Sequence, residues 1–343
     1  MPATITEASM GGSAVATEGT PGPLLFGLDG SREFAAQVAQ ALGTAPAAHE
    51  EREFEDGEHK ARPLASVRGR DVYVLHSLYG DASRSANDKL CRLLFFIGAV
   101  KDAAAARVTA VVPYLAYARK DRKTQARDPV TTRYVAALFD AVGTDVVATV
   151  DVHNLAAFQN AFRCRTEHLE AADLFVAELA PRLAGNDVVV VAPDEGGIKR
   201  ADAFRRRLAA ALGTPVGAAF CEKYRSGGVL GGGMLAGDVG GCHAVIVDDL
   251  IGTGATLARA GGACRAHGAA QVTAVATHGL FTGDAPALLA ASAIGATLVG
   301  DTVAPFRLGA AMAQARVRVV GCAGMVAAAI ARWHGGAGAD VGD

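Results

Sequence analysis

Residues 248–256 read Asp-Asp-Leu-Ile-Gly-Thr-Gly-Ala-Thr, two adjacent carboxylates followed by a turn with two glycines and two threonine hydroxyls. Gly252 and Gly254 permit positive φ and close backbone approach, so successive N–H groups can converge on an anion. Thr253 and Thr256 add hydroxyl donors. Thr256, Leu257 and Ala260 begin a helical pattern whose dipole favours a phosphate. Asp248 and Asp249 would repel that phosphate unless they serve another part of the ligand, such as ribose hydroxyls or a bound Mg²⁺. A tight turn beside solvated acids is the structural alternative, but paired acids directly before Thr-Gly-x-Thr argue for a sugar-phosphate site.

Four further groups could do chemistry. Tyr114–Lys123 (YLAYARKDRK) is rich in cations and suits a polyphosphate, with Arg119 able to make bidentate contacts or stack on a base. His153 follows Asp151 by two positions, on the same side if the segment is extended, which suits a metal or phosphate. Asp194 precedes Gly196-Gly197, an acid beside an anion-friendly turn. Lys223 and Arg225 stand ahead of five glycines within 222–233, the composition of a mobile lid that carries charge to a transition state.

The elements that must position these residues alternate. Val245–Val247, Val108–Pro113, Val146–Val150 and Val188–Ala192 are short apolar runs without alternation, as expected of parallel strands buried on both faces. Every candidate group but the Lys223/Arg225 pair, which follows the strand-like Val216–Cys221, comes directly after one of these runs, at the sheet edge where ligands of open α/β sheets bind. Ser31 is expected to cap a helix over Arg32–Leu42. The alternation predicts an α/β fold of two similar doubly wound parallel-sheet domains, at 23–165 and 166–334. Residues 1–22 and 335–343 read as tails, with the C-terminal helix free to pack back on the N-terminal domain.

Composition narrows the function. The chain has 343 residues, 51% of them hydrophobic, enough for two cores, and its net charge of −2 argues against a general nucleic-acid binder. The six cysteines form no zinc-spaced cluster and suit reduced thiols in the cytoplasm. No apolar run reaches a membrane span, and the N-terminal stretch lacks the regions of a signal peptide. Gly-Lys never occurs, so a Walker A loop is excluded, and no complete GxGxxG follows a strand.

Several motifs in order resemble the ribose-phosphate pyrophosphokinase (phosphoribosyl pyrophosphate synthetase) family, from about residue 24 to 335. They are FEDGE (54–58), PYLAYARKDRK (113–123), VDVH (150–153), APDEGGIKR (192–200), the Lys223-x-Arg225 pair, DDLIGTGAT (248–256) and ATHGLFTG (276–283). The resemblance implies a phosphoribosyltransferase-like fold. It also implies transfer of the β,γ-diphosphoryl group of Mg·ATP to the anomeric hydroxyl of ribose 5-phosphate. On that basis Phe54, Asp56 and Glu58 contact adenine from a neighbouring subunit, and Arg119 and Lys120 bind ATP. His153 and Asp194 ligate Mg²⁺, and Lys223 and Arg225 are catalytic. Asp248, Asp249, Gly252, Thr253, Gly254, Ala255 and Thr256 hold ribose 5-phosphate. The partners implied are ATP, ribose 5-phosphate and further copies of the chain, in a dimer-based homo-oligomer of which a hexamer is one form. Lys120, Thr124, Gly252 and Ala255 depart from the family's usual Gln, Asp, Asp and Gly, and the lid is richer in glycine. A non-catalytic regulatory homologue and a phosphoribosyltransferase are the rival readings.

Overall fold

Two valine-rich runs buried along their whole length, Val146–Val150 and Val188–Ala192, lie inside two sheets, away from their edges. The structure, a computed structural model, describes residues 22–336 apart from 223–224, 227–228 and 231–233. Its strands in chain order begin with β1 Leu24–Gly27, β2 His49–Glu53, β3 His59–Pro63, β4 Asp71–Leu75, β5 Arg107–Val112, β6 Val146–Val150, β7 Arg165–Leu169 and β8 Val188–Ala192. They continue with β9 Gly217–Glu222, β10 Arg225–Ser226, β11 Val229–Leu230, β12 Met234–Ala236, β13 His243–Ile251, β14 Gln271–Gly279, β15 Ala296–Gly300 and β16 Val317–Val320. The helices are α1 Arg32–Ala41, α2 Ala86–Asp102, α3 Thr131–Ala141, α4 Leu155–Ala161, α5 Ala172–Leu183, α6 Ile198–Leu212, α7 Ala255–Ala266, α8 Ala285–Ala291, α9 Ala310–Arg316 and α10 Ala323–Gly335.

The first sheet is parallel, in the order β1-β4-β5-β6-β7, while β2 and β3 form a separate antiparallel hairpin. The second runs β12-β9-β8-β13-β14-β15-β16 and is parallel except for β12 at its edge. From β8 the chain steps outward to β9 and then returns to β13 on the other side of β8. This reversal opens a crevice at the carboxyl ends of β8 and β13, where ligands of open α/β sheets bind.

Three apolar layers hold the sheets. One packs α2, α3 and α4 on the outer face of the first sheet, through residues such as Leu93, Phe96 and Phe139. The middle layer joins α1, α5, α6 and α10 to the facing sides of both sheets, and the third packs α7 and α8 under the second sheet. Helix α10 lies against α1 in the middle layer, and Arg107 of β5 donates to the Trp333 carbonyl at 2.9 Å.

Two details differ from the sequence reading. Strand β7 pairs with β6 along its length, so the first sheet continues to Leu169, past the expected boundary at 165; the polar Arg165–Glu167 stretch hid the strand. Ser31 precedes α1 but its hydroxyl makes no cap. It is buried and accepts Ser77 N–H at 2.9 Å, supplying the partner that amide needs beyond the end of β4.

Candidate active site

Strand β13 is longer than its apolar core implies, carrying Asp248 and Asp249 inside the ladder and ending at Ile251. The following turn is pinned from below. Leu280 N–H donates to Ile251 O at 2.9 Å and Thr282 N–H to Gly252 O at 2.9 Å. Gly254 precedes α7 with φ +78°, the left-handed region that disfavours other residues, and Ala255 begins the helix. Gly252 has no such angle, and a Cβ there would meet open space. Amides of the turn and of the first turn of α7 therefore stand together with the hydroxyls of Thr253 and Thr256, an arrangement suited to a phosphate.

The two acids are not free in solvent: Asp248 is half-buried and Asp249 buried. Asp249 is 5% exposed and accepts from His153 Nδ1 at 2.7 Å, across the boundary between the sheets. Arg200, in the first turn of α6, places Nη1 3.2 Å from Asp248 Oδ1 and 3.2 Å from Asp249 Oδ1. Burial, reinforced by the neighbouring Asp249 carboxylate, pushes the Asp248 carboxyl above the usual range. Burial acts the same way on Asp249, but the His153 hydrogen bond and Arg200 outweigh it and hold that carboxyl low. The hydrogen bond to Asp249 correspondingly raises the His153 imidazole.

Asp151 departs from the expected alignment with His153. Its φ of +38° breaks the extended path, and its carboxylate accepts from Ala171 N–H at 3.2 Å and from the Thr277 hydroxyl. The turn sends Asp151 toward the second sheet and frees His153 to meet Asp249.

Asp194 follows β8 and caps the 3-10 turn Glu195–Gly197, accepting Gly197 N–H at 3.2 Å. It lines the same cavity of about 1260 Å³ as Arg119, His153, Asp248, Asp249 and the 252–256 turn. The structure thus brings together residues expected for ATP, metal and sugar. Lys120 turns aside: its Nζ is 2.5 Å from Asp128 Oδ2, and it is not among the cavity's lining residues. Phe54, Asp56 and Glu58 sit at the β2–β3 hairpin and are not among the residues that line this cavity, with Phe54 37% exposed and Arg52 over its ring at 5.1 Å. Asp56 accepts Glu58 N–H at 3.0 Å. Lys223 and most of the glycine-rich lid lie outside the described residues, and Arg225 begins the two-residue strand β10, which pairs with β11. Among the described residues no group of three or more His, Cys, Asp or Glu side chains is arranged to hold a metal.

Arg200 was not singled out from the sequence. One signal was present: an arginine in the first turn of a helix opposes the helix dipole, which implies a carboxylate partner elsewhere. A buried polar seam also escaped notice. His278 of β14, whose imidazole burial holds below its ordinary range, stands 3.0 Å from Val150 O and 2.8 Å from the Thr302 hydroxyl, and the Ser77 hydroxyl donates to Thr302 O at 2.6 Å. These bonds lock the end of β6, which leads to His153, against the end of β14.

A family model described as the N-terminal domain of ribose phosphate pyrophosphokinase matches residues 24–143, and one described as the phosphoribosyl synthetase-associated domain matches residues 233–340. The chain is 37% identical over 313 residues to the ribose-phosphate pyrophosphokinase of Caldanaerobacter subterraneus subsp. tengcongensis, covering 91% of this chain and 95% of that relative. It is 36% identical over 315 residues to ribose-phosphate pyrophosphokinase 1 of Streptococcus pyogenes serotype M1, covering 90% and 94%. The crystal structure of phosphoribosylpyrophosphate synthetase from Mycobacterium smegmatis matches with a TM-score of 0.82 at 34% identity, covering 91% of this chain and 99% of that one. Similarity at this identity over nearly the whole of each chain means that this protein belongs to the ribose-phosphate pyrophosphokinase family.

Proposed function

We propose that the chain transfers the diphosphoryl group of Mg·ATP to the anomeric hydroxyl of ribose 5-phosphate, yielding phosphoribosyl pyrophosphate and AMP. The observation that carries this reading is the single cavity shared by Arg119, His153, Asp194, the acid pair and the 252–256 turn. The anomeric oxygen forms a bond to the β-phosphorus of ATP, the bond from that phosphorus to the bridging oxygen breaks, and AMP leaves with that oxygen. The nucleophile belongs to the sugar, so the protein's work is positioning and charge stabilisation.

In this reading the amides and hydroxyls of Gly252, Thr253, Gly254, Ala255 and Thr256 hold the 5-phosphate. Asp248 accepts from the ribose diol, with Asp249 behind it. Arg119 holds the triphosphate, and Lys223 and Arg225 neutralise charge as the diphosphoryl group moves. Lys120, held by Asp128, serves the nucleotide segment by shaping it rather than by direct contact. The residues also fit Mg²⁺. Asp249 occupies Nδ1 of His153 and leaves Nε2 as its coordinating atom, a carboxylate–imidazole arrangement common behind metals. Asp194 supplies a carboxylate, and two protein donors suit an ion that keeps phosphate and water oxygens as its other ligands. Bound there, Mg²⁺ would offset the negative charge of the phosphates.

That Phe54, Asp56 and Glu58 do not line the chain's own cavity supports a role at a neighbour's adenine site, and hence a dimer-based homo-oligomer. We place the enzyme in the cytoplasm; among the described residues no helix is long and apolar enough to cross a membrane. The test is to incubate purified protein with Mg·ATP and ribose 5-phosphate and follow AMP by ³¹P NMR or chromatography. Formation of AMP dependent on ribose 5-phosphate is the expected result. Its absence at high protein concentration would leave a regulatory homologue or a phosphoribosyltransferase.

A further inference from the structure

The Arg200 guanidinium touches residues from two strand ends that belong to different sheets. Nη1 bridges one oxygen of Asp248 and one of Asp249 at 3.2 Å each, and Nη2 lies 3.5 Å from the carbonyl oxygen of His153. Asp249 uses its other oxygen for His153 Nδ1 at 2.7 Å. Asp248, Arg200, Asp249 and His153 thus form a continuous chain of polar contacts across the floor of the cavity.

This contact is not required to seat the helix. The buried residues of α6 are Ala201, Phe204 and Leu208, whereas the Arg200 side chain is 27% exposed and lines the cavity. Two carboxylates on successive residues repel each other in a half-desolvated site; one nitrogen of the planar guanidinium bridges both while the other reaches the His153 carbonyl, a geometry that a single ammonium does not reproduce. The Asp248 carboxylate has a second tie, accepting Asp249 N–H at 2.9 Å, so the arginine selects among the few orientations left to it.

We propose that Arg200 is a positioning residue of the acceptor site, which aims Asp248 at the sugar and, through Asp249, sets the ring of His153. The proposal rests on the function proposed above. It assigns Arg200 no contact with the reacting atoms. Its loss should therefore weaken use of ribose 5-phosphate most, through the direct contact with Asp248, and disturb Mg·ATP less, through the indirect tie to His153.

The experiment compares Arg200→Gln and Arg200→Lys with the wild-type full-length protein. For Arg200→Gln, kcat/KM for ribose 5-phosphate should fall about 10- to 100-fold, the range for losing hydrogen bonds to charged groups. The KM for ATP should rise less than that for ribose 5-phosphate, and Arg200→Lys should recover only part of the loss, since a single ammonium cannot bridge both carboxylates and also keep the contact that Nη2 makes with the His153 carbonyl. A second readout does not need turnover: the ¹⁵N ring signals of His153, assigned by their disappearance in His153→Gln, should move in Arg200→Gln without added substrate. Unmoved His153 signals, equal increases in both KM values, or full recovery by Arg200→Lys would each overturn the positioning role. A wild-type protein that forms no AMP would instead refute the proposed function, and the His153 signals would still decide whether Arg200 positions that ring.

Discussion

Replacing Gly254 with alanine should weaken ribose 5-phosphate binding, whereas the same change at Gly252 should not. A Cβ at 254 meets only ordinary contacts, 3.8 Å from Leu289 Cγ and 3.9 Å from Ala285, so crowding contributes little. The cost comes from the backbone: φ is +78°, and a left-handed L-residue costs roughly 1–2 kcal/mol. At about 1.4 kcal/mol per factor of ten, that corresponds to roughly 5- to 30-fold in affinity if the empty turn relaxes and the ligand must restore it. If packing under the turn prevents relaxation, the same energy appears as lower stability. At Gly252 the backbone is not left-handed and a Cβ meets nothing within 4 Å, so neither cost arises. Calorimetric titration with ribose 5-phosphate and urea unfolding of both variants separate these outcomes. The reasoning is refuted if Gly254→Ala changes neither affinity nor stability, or if Gly252→Ala loses as much as Gly254→Ala.

Further outcomes follow from other parts of the molecule. Lys223→Ala should lower kcat by roughly a hundredfold or more with ribose 5-phosphate affinity nearly intact, as for a contact made only in the transition state; turnover close to wild type would remove Lys223 from the mechanism. His76 is fully buried, and burial, with Lys89, Arg84 and Arg92 nearby, lowers its imidazole to about 3. Its folded form resists protonation while the unfolded chain takes up a proton below about pH 6.5, so stability falls with pH between those values, by about 2 kcal/mol from pH 6.5 to 4.5. Urea melts at the two pH values should show this loss in the wild type and a smaller one in His76→Leu. Asp71 accepts from Arg107 Nε at 2.7 Å, Tyr73 at 2.9 Å and His334 Nδ1 at 2.8 Å, which tie β4 and β5 to α10. These contacts outweigh burial and hold its carboxyl low, so their stabilisation is present above the ordinary carboxylate range and fades as pH falls through the lowered value. Asp71→Asn should cost on the order of 3 kcal/mol at neutral pH because it leaves Arg107 without its ionic partner; a change below about 0.5 kcal/mol in urea unfolding would contradict that.

Much of this protein could be read along the chain. Unbroken valine runs announced parallel strands, because a strand buried on both faces has no polar side to show. The segments at 114–123, 153, 194 and 248–256 were found because each follows such a run, and parallel strands deliver their carboxyl ends to one edge. The glycine turn after Asp248-Asp249 could also be read, since glycine and helix-start preferences are local properties.

Tertiary structure alone decided which of these groups meet. Nothing near His153 in sequence predicts its bond to Asp249, ninety-six positions away. Asp151, two positions earlier, looked placed to share a metal or phosphate with His153, but a positive φ turns that carboxylate toward Thr277. Ser31 had the type and position of a helix cap, yet the uncapped amide of Ser77, brought beside it by the β1–β4 pairing, claimed its hydroxyl. Lys120 was grouped with Arg119 by charge, but Asp128 draws it away. Arg200 showed only an unfavourable place at a helix start, while its partners came from β13 and from the end of β6. Backbone preferences act over a few residues and leave their mark in local sequence. A charged side chain is satisfied by whatever the packed sheets bring within about 3 Å, and that depends on the whole fold.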